Sequence, residues 1–440
     1  MFRSGFAKEI ITPPRGADLA GYFDHRYNQG VLDDLFVRVT LFDDGRNLSG
    51  IVSYDLCFIT AELLNTIREA VQKAGFSAPL IYCATHTHTG PMTGEFFGMP
   101  ADEKIIENLA VKTVFAVLRA QANLAPAELF FASAVCNRAA FNRRYRMRDG
   151  RVSTNPGKLN PRIVAPEGTV DREISLIGIR QNGRWTELIP NIVNHTDTIA
   201  GDLVSADWPG FLERELQERF GYGIPVQTLI GCSGNINHFD VSIATDQTSY
   251  AEARRIGHVY ADDVEQLAAR LEPVQAPAVG YAVQEIGIAF RTIRPEEVAE
   301  AKATLAKYAD VQSTGEMTSE GLEKMSPEVA CFFANQLVKF AEKCSGKTRR
   351  FELAALKLAD SLAIGTLPGE PFTEIGLEIK KQSPFRHTVP VSLAMGECGY
   401  IPLPSCKGGY EPLPVVDYTP DPETTAPLLI ETAVRVLKSL

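Results

Sequence analysis

Four polar side chains stand shortly after apolar segments of this 440-residue sequence and could together hold a metal ion. The pair His86 and His88 follows the segment PLIYCAT. His195 follows ELIPNIV, and Glu370 follows LADSLAIGT. Each segment has the composition of a buried strand, and open α/β sheets place their ligands at the carboxyl ends of strands. Zinc takes imidazole nitrogens and carboxylate oxygens, and a catalytic site needs about three protein ligands plus an open position for water. A single histidine is more often a hydrogen-bonding group, but the shared strand-end position favours a zinc site.

The segment GCSGNINHFD (231–240) follows a further predicted strand, PVQTLI, and is typical of a tight turn that approaches a ligand. It lacks the G-x-S-x-G pattern of serine hydrolases, because Asn235 stands where the second glycine is required. Asn235 and Asn237 could donate amide hydrogen bonds to a substrate oxygen, or could simply form the turn.

The basic stretch 137–162 contains Arg143 and Arg144. These guanidinium groups could clamp an anionic or carbonyl group, although the composition favours a charged loop in solvent. No Walker A or GxGxxG motif opens a helix, so the sequence does not predict a nucleotide cofactor.

Strand-like and helix-like segments alternate along most of the chain, which predicts an α/β fold. After the strand SGIVSYDLCFI, Thr60 can cap a helix that Gly75 ends. The residues of this helix that should face the core are Leu63, Leu64, Ile67 and Val71. A later helix is predicted over DWPGFLERELQERFG, with Asp207 as its cap and Gly221 at its end. Two helical segments between about 294 and 350 predict a helical insertion.

The charge and composition exclude several classes of function. Lys and Arg number 44 against 54 Asp and Glu, and this net charge of -10 repels nucleic acid and anionic membranes. No apolar stretch is long enough to span a bilayer, and the N-terminus lacks a signal peptide. The eight cysteines are scattered singly, as in a protein with reduced thiols. We therefore expect a cytoplasmic protein with a small-molecule substrate, and no oligomeric state is predicted.

The ordered motifs resemble the catalytic domain of the neutral (alkaline, non-lysosomal) ceramidases and their bacterial relatives. Outside the helical segment around 294–350, the resemblance covers most of the chain, and ATHTHTGP is its most specific part because it is close to the H-T-H-S-G-P of that family. The resemblance implies a mixed-sheet α/β catalytic domain over residues 1–440. The segments that carry it are GFAKEIITPPRGADLAGY, ATHTHTGP, NHTDTIAGDLVSADWPG, GCSGNINHF, LPGEPFTEIG and GYIPLPSCKGGYE.

The resemblance also implies a set of site residues. A single Zn²⁺ per chain would be held by His86, His195, Glu370 and Tyr400. His88 would support these ligands or contact the substrate, and Asp207 matches an aspartate that follows the second histidine of the family. The active-site arginine of the family matches either Arg138 or Arg143.

One departure from the family concerns its serine, which lies in a G-D-V-S-P-N motif. Asn237 stands at the matching position, so Ser233 or Cys232 could replace that serine, or zinc-bound water could be the nucleophile. The chain ends in a predicted closing helix, PLLIETAVRVLKSL, so we expect no C-terminal immunoglobulin-like domain. With no secretion signal either, ceramide in a membrane is not the expected substrate.

These observations lead to a zinc-dependent hydrolase that acts on the amide, lactam or ester carbonyl of a small polar molecule. His88, Asn237 and the arginine would orient the substrate and stabilise the oxyanion. One alternative is a zinc lyase or isomerase in which His88 moves a proton. Another is a metabolite-binding protein that keeps the ceramidase fold without catalysis, but the four filled metal positions favour an enzyme.

Overall fold

Helices and strands alternate along the chain, and the computed structural model describes residues 1–96, 98–311 and 319–440. The helices in these ranges are α1 (Ala61–Lys73), α2 (Glu103–Ala122), α3 (Asp207–Phe220), α4 (Tyr250–Ala268), α5 (Pro295–Lys307), α6 (Ser319–Lys324), α7 (Pro327–Lys343), α8 (Thr373–Gln382) and α9 (Pro422–Lys438). The strands are β1 (Arg3–Ile10), β2 (Gly30–Val31), β3 (Phe36–Asp43), β4 (Leu48–Tyr54), β5 (Leu80–Ala84), β6 (Ala125–Pro126), β7 (Glu128–Val135), β8 (Phe141–Asn142), β9 (Arg144–Met147), β10 (Val152–Thr154), β11 (Ile163–Pro166), β12 (Glu173–Gln181), β13 (Arg184–Ile192), β14 (Leu203–Val204), β15 (Leu229–Ile230), β16 (Ile236–Asn237), β17 (Glu272–Pro273), β18 (Gly280–Ala289), β19 (Thr348–Ala359), β20 (Leu362–Thr366), β21 (Glu370–Pro371), β22 (His387–Val391) and β23 (Tyr400–Ile401).

Three larger sheets carry the fold, and each mixes parallel and antiparallel pairs. The first has the order β5-β4-β3-β1-β6, the second β15-β13-β12-β7-β17 and the third β18-β19-β20-β22. The parallel pairs are β4 with β5, β13 with β15, and β20 with β22. This arrangement confirms the predicted mixed-sheet α/β class.

The first helix forms as its sequence predicts. The Thr60 side chain accepts a hydrogen bond from the backbone N–H of Leu63 and so caps α1. The four apolar residues predicted to face the core are its buried residues. Gly75 follows the helix with φ +91°, a left-handed conformation that glycine adopts without strain.

The first two sheets face each other across the main hydrophobic core. The Thr40 hydroxyl on β3 lies within hydrogen-bond distance of the Glu187 carboxyl on β13 and of the side-chain oxygen of Gln227, which precedes β15. The helix α2 packs on β1 and β3, and α4 packs on β7 and β12. A second apolar core joins the third sheet to α8 and α9.

Hydrogen bonds tie together the loops that follow β5, β13 and β20. The Thr196 hydroxyl donates to the carbonyl of Thr85 at 2.6 Å, which joins the first two loops. The N–H of Leu393, just after β22, donates to the carbonyl of Gly369 at 2.9 Å. The carbonyl of Leu393 in turn accepts a hydrogen bond from the N–H of Ala84 at the end of β5, at 3.0 Å. These bonds join the loops that carry His86, His195 and Glu370.

The basic stretch 137–162 was expected to be a solvated loop, and the structure corrects this expectation. The stretch contains β8, β9 and β10, and β9 pairs with both β10 and β11. Arg143 and Arg144 are only 3% and 1% exposed. Their charges are compensated by buried or half-buried carboxylates that lie far away in the sequence, which is why composition alone predicted solvent exposure.

The helices α5, α6 and α7 lie between the antiparallel neighbours β18 and β19, where the helical insertion was predicted. Residues 312–318 of this insertion lie outside the described ranges. Phe333 and Phe332 of α7 contact the ring of Phe23. The preceding residue, Tyr22, contacts His88. Every helix in the described residues is too short or too polar to span a lipid bilayer.

A buried carboxyl group between the first two sheets carries a proton. The single hydroxyl hydrogen of Thr40 cannot serve both oxygen atoms that it faces, one on Glu187 and one on Gln227. The Gln227 amide nitrogen is already a donor to Ser53 and the Arg38 carbonyl, so the second hydrogen comes from Glu187. Burial accordingly raises the pKa of Glu187 well above its usual value, against the smaller opposite effect of Thr40.

This proton makes stability depend on pH. The contribution of Glu187 is fully present below the pKa of an unfolded glutamate and is lost as the pH rises toward the raised pKa of the folded state. Glu187→Gln has no proton to lose. We expect its free energy of unfolding to exceed that of the wild type by about 1 kcal/mol at pH 8 and by less at pH 5. Thermal unfolding at both pH values measures this.

Glu213→Gln is the matched control, because Glu213 is also buried but forms ion pairs with Arg38 and Lys8 that, despite its burial, lower its pKa. This variant should be destabilised at pH 8. A Glu187→Gln protein that is less stable than the wild type at pH 8 would contradict the assignment of the proton.

Candidate metal centre

His86 is held in a strained backbone conformation just beyond β5. Its φ is +70°, which is uncommon for a residue other than glycine. Its N–H donates to the carbonyl of Leu56 at 2.8 Å, and its side-chain Nδ1 lies 2.7 Å from the carbonyl oxygen of Cys57. The first contact holds the backbone of His86 and the second orients its ring. Strained backbone conformations of this kind are often found in functional sites.

His195 is fixed by the turn after β13 and by the start of α3. Its Nδ1 lies 3.2 Å from the carbonyl oxygen of Ser233, and its own carbonyl accepts a hydrogen bond from the indole of Trp208. The Asp207 carboxylate accepts hydrogen bonds from the N–H groups of Thr198 and Ile199 at 2.8 and 3.0 Å. Asp207 was predicted to cap α3; it is instead the first residue of that helix and also holds the loop that carries His195.

Glu370 is placed by a short parallel pair, in which β21 aligns it with Tyr400 on β23. Its N–H donates to the carbonyl of Gly399 at 2.9 Å. The preceding residue, Gly369, has φ +60°, and a Cβ there would lie 2.5 Å from the Gly399 oxygen. Only glycine allows this close approach of the two backbones.

The side chains of His86, His195 and Glu370 converge on one point. The two Nε2 atoms are 3.1 Å apart, and they lie 3.3 and 3.2 Å from Glu370 Oε2. All three side chains are nearly buried, the most exposed being Glu370 at 12%. Tetrahedral bonds of 2.0–2.1 Å place neighbouring ligand atoms about 3.3 Å apart, so the spacing suits a zinc ion.

The protonation of the two rings also suits a metal ion. Each Nδ1 faces a backbone carbonyl oxygen, which can only accept a hydrogen bond. The proton of a neutral ring therefore sits on Nδ1, and the lone pair of Nε2 points at the other two donor atoms. No described residue donates a hydrogen bond to Glu370 Oε2, although the atom is buried. When both rings are neutral, two nitrogen lone pairs and a carboxylate at this distance are stabilised by a positive charge between them, which a proton or a metal ion can supply.

The electrostatics of the cluster agree with this requirement. Burial is the largest single effect and opposes charge on both His86 and Glu370. Their mutual attraction and their hydrogen bonds together outweigh burial, so the pKa of His86 lies well above and that of Glu370 well below the usual value. Burial and then the positive charge of Arg143 lower the pKa of His195 to about 4, which keeps its lone pair free at neutral pH. The cluster thus favours one positive charge at its centre, from a proton or from a metal ion.

His88 lies at the edge of the same cluster. Its Nε2 is 3.2 Å from Nε2 of His86, and its Nδ1 is 3.5 Å from Oδ1 of Asp197. Tyr22 donates a hydrogen bond to the same carboxylate oxygen at 2.5 Å, and its ring meets His88 edge-on. Burial, followed by the neighbouring His86 and His195, lowers the pKa of His88 well below its usual value. Cys57, His86 and His88 form a second group that could hold a metal ion.

The structure brings Arg143, and not Arg138, to the cluster. Arg143 Nη1 lies 3.5 Å from Nε2 of His195, whereas the Arg138 side chain is 60% exposed and pairs with Asp263. Tyr400 lies beside Arg143, whose guanidinium is 4.9 Å from the tyrosine ring. Its hydroxyl is 3.1 Å from that of Tyr410, and burial followed by Glu370 raises its pKa well above the usual value. Its role as a metal ligand stays a prediction.

Comparison with solved structures finds the same fold in ceramidases. One is the crystal structure of neutral ceramidase from Pseudomonas aeruginosa, with a TM-score of 0.71 and 17% identity over 100% of this chain and 75% of that chain. Another is a ceramidase complexed with C2, with a TM-score of 0.71 and 18% identity over 100% of this chain and 76% of that chain. The chain has a neutral ceramidase-like fold. No family model and no curated protein matches the sequence.

Within this neutral ceramidase-like fold, the hydrogen bonds found for the Asn237 side chain go to Asn155 and Phe239 and not to the clustered residues. The Asn237 amide donates to Asn155 at 2.8 Å, and its oxygen accepts from the N–H of Phe239. Cys232 is buried in the second apolar core, and burial raises its pKa to about 12. Ser233 contributes its backbone carbonyl to the orientation of His195. Asn237 serves the turn, which was one of the two predicted roles, whereas Asn235 joins the turn to α8 by donating to Glu374 and accepting from the N–H of Thr373.

Sequence reasoning missed several residues that surround the cluster. Asp197 contacts His88, Tyr410 contacts Tyr400, and Glu411 pairs with Arg143. Asp197 lies in the segment NHTDT, and Tyr410 and Glu411 lie in GGYE. Both segments belong to motifs that carried the resemblance. Their side chains became identifiable only when the fold brought those motifs together.

Loss of one ligand should remove the metal. We expect zinc at about one ion per chain in the wild type and a large loss in His195→Ala and Glu370→Ala, because each variant removes one of three protein donors. Mass spectrometry of metal content measures this after zinc loading and desalting. The matched control is His238→Ala, a buried histidine whose Nε2 faces the carbonyl of Gln247 outside the cluster. Retention of zinc in both ligand variants would refute the site.

Proposed function

We propose that this protein is a zinc-dependent hydrolase that acts on the amide, lactam or ester carbonyl of a small polar molecule. The observation that carries the proposal is the convergence of His86 Nε2, His195 Nε2 and Glu370 Oε2 at 3.1–3.3 Å. Tyr400, aligned with Glu370 across a short strand pair, is the proposed fourth ligand. The neutral ceramidase-like fold supports hydrolysis as the type of reaction.

The ion, when bound, supplies a Lewis acid for the carbonyl oxygen and lowers the pKa of water. The protein contributes the orientation of the ligands. The carbonyl groups of Cys57 and Ser233 hold the protons of His86 and His195 on Nδ1, so that each Nε2 faces the ion. Because these rings are held before any substrate arrives, no reorganisation is needed during the reaction.

Arg143 is the proposed donor to the oxygen that becomes negative in the transition state. Its Nη1 reaches the cluster, whereas its other two nitrogens are engaged by Glu411 and the carbonyl of Gly234. A buried guanidinium in a site from which water is excluded stabilises an oxyanion more strongly than it would in solvent. The positive charge also favours a polar or anionic substrate over a hydrocarbon chain.

His88 is the side chain placed to exchange a proton with the substrate. Burial keeps it neutral, so Nε2 or Nδ1 can accept a proton, and Asp197 lies beside Nδ1 to stabilise the charged ring that results. His88 contacts His86 and Arg143 contacts His195, so the proposal assigns proton transfer and oxyanion binding to different side chains.

The function is tested with a panel of small esters, linear amides and lactams, assayed with the zinc-loaded protein. We expect turnover of at least one class, loss of turnover in a chelator and recovery on addition of zinc. Incorporation of oxygen from isotopically labelled water into the product identifies hydrolysis. Turnover without incorporation would favour a lyase or isomerase, and full activity in the chelator would refute the role of the metal.

Two arginine variants distinguish the residues that the sequence left open. Arg143→Lys keeps the charge but loses the rigid fork of donors, so we expect a loss of about a hundredfold in kcat for the substrate found above. Arg138→Lys should change kcat by less than about twofold, since Arg138 is exposed and pairs with Asp263. The opposite ranking of the two variants would contradict the assignment of the oxyanion donor.

A further inference from the structure

A carboxylate with no role assigned so far lies behind Arg143. The Glu411 side chain is completely buried, and its Oε1 accepts a hydrogen bond from Arg143 Nε at 3.1 Å. Its Oε2 accepts from Arg144 Nη1 at 2.5 Å and from the hydroxyl of Thr154 at 2.7 Å. Glu411 therefore bridges two buried arginines that are adjacent in the sequence.

Two guanidinium groups and two carboxylates balance the charge in this group, and Glu411 is shared between both arginines. Arg144 has a second anionic partner, because its Nε pairs with Glu167 at 2.5 Å. Among the described residues, Glu411 is the carboxylate that forms an ion pair with Arg143. A buried guanidinium without its carboxylate is strongly destabilised, and here it would also lie next to a divalent ion.

Glu411 also determines where Arg143 points. Arg143 Nε is bound by Glu411, and Nη2 donates to the carbonyl of Gly234 at 2.6 Å. The rings of Tyr400 and Tyr410 lie 4.9 and 5.3 Å from the guanidinium carbon. With two nitrogens bound and two rings against the plane, the third nitrogen, Nη1, is left facing His195 Nε2 at 3.5 Å.

We propose that Glu411 is a positioning residue for the reaction: it aims Arg143 Nη1 at the substrate oxygen beside the metal ligands. The inference rests on the proposed function, since it needs a metal ion and a bound oxyanion for Arg143 to serve. Glu411 itself does not touch the substrate. Its contribution passes through the orientation and the charge compensation of Arg143.

Glu167 provides the matched control. Both glutamates pair with Arg144, but only Glu411 pairs with Arg143. A variant of either residue disturbs the support of β9, whereas only a variant of Glu411 releases Arg143. The comparison of Glu411→Gln with Glu167→Gln therefore separates positioning of Arg143 from general support of the sheet.

The probe is acetohydroxamic acid, a small molecule that binds zinc through its oxygens as the hydroxamate anion and accepts a hydrogen bond from a neighbouring donor. Its affinity for the zinc-loaded protein is measured by titration calorimetry, with zinc content and thermal unfolding recorded for each variant. We expect Glu411→Gln to weaken binding at least about tenfold and Glu167→Gln to change it less than about twofold. Arg143→Met should weaken binding of the probe as much as Glu411→Gln does. The double variant should weaken binding no more than either single variant.

Three results would overturn the inference while leaving the proposed function intact. They are wild-type affinity in Glu411→Gln, an equal loss in Glu167→Gln, and additive losses in the double variant. If Glu411→Gln does not fold, Glu411→Asp carries the test, because it keeps the charge but is too short to bridge both arginines; unchanged affinity in that variant also overturns the inference. A wild-type protein that takes up no zinc refutes the proposed function and the inference with it.

Discussion

The arrangement of the site depends on two backbone carbonyl groups that fix the protons of His86 and His195. Because Cys57 and Ser233 hold these protons on Nδ1, the two Nε2 lone pairs point at each other and at Glu370 Oε2. Three electron-rich atoms 3.1–3.3 Å apart repel one another unless a cation lies between them. The demand for a positive charge is thus a property of the backbone as much as of the ligand side chains.

The rest of the fold keeps these three atoms from moving apart. Each ligand follows a strand of a different sheet, and hydrogen bonds such as that from Thr196 to Thr85 join the loops directly. Asp207 and Trp208, at the start of α3, hold the loop that carries His195. In the proposed function, Arg143 and His88 supply a hydrogen-bond donor and a neutral base at this cluster. The same preorganisation would serve both metal binding and oxyanion stabilisation.

The sequence predicted the parts of the site that depend on local pattern. Buried strands appear as apolar segments, so the position of His86 and Glu370 at strand ends could be inferred before the fold was known. The burial of Arg143 could not, because its partner Glu411 is 268 residues away in the sequence. Without that partner, a run of arginines indicates a solvated loop. Asp207 was predicted as a helix cap for the same reason, since its contacts to the His195 loop depend on tertiary structure.

X-ray absorption spectroscopy of the zinc-loaded protein tests the central claim most directly. The structure offers two candidate groups that share His86: one with His195 and Glu370, and one with Cys57 and His88. Our account predicts nitrogen and oxygen ligands at about 2.0–2.1 Å, with two imidazole rings and no sulfur. A sulfur ligand at about 2.3 Å would place the ion at Cys57 and contradict the site proposed here.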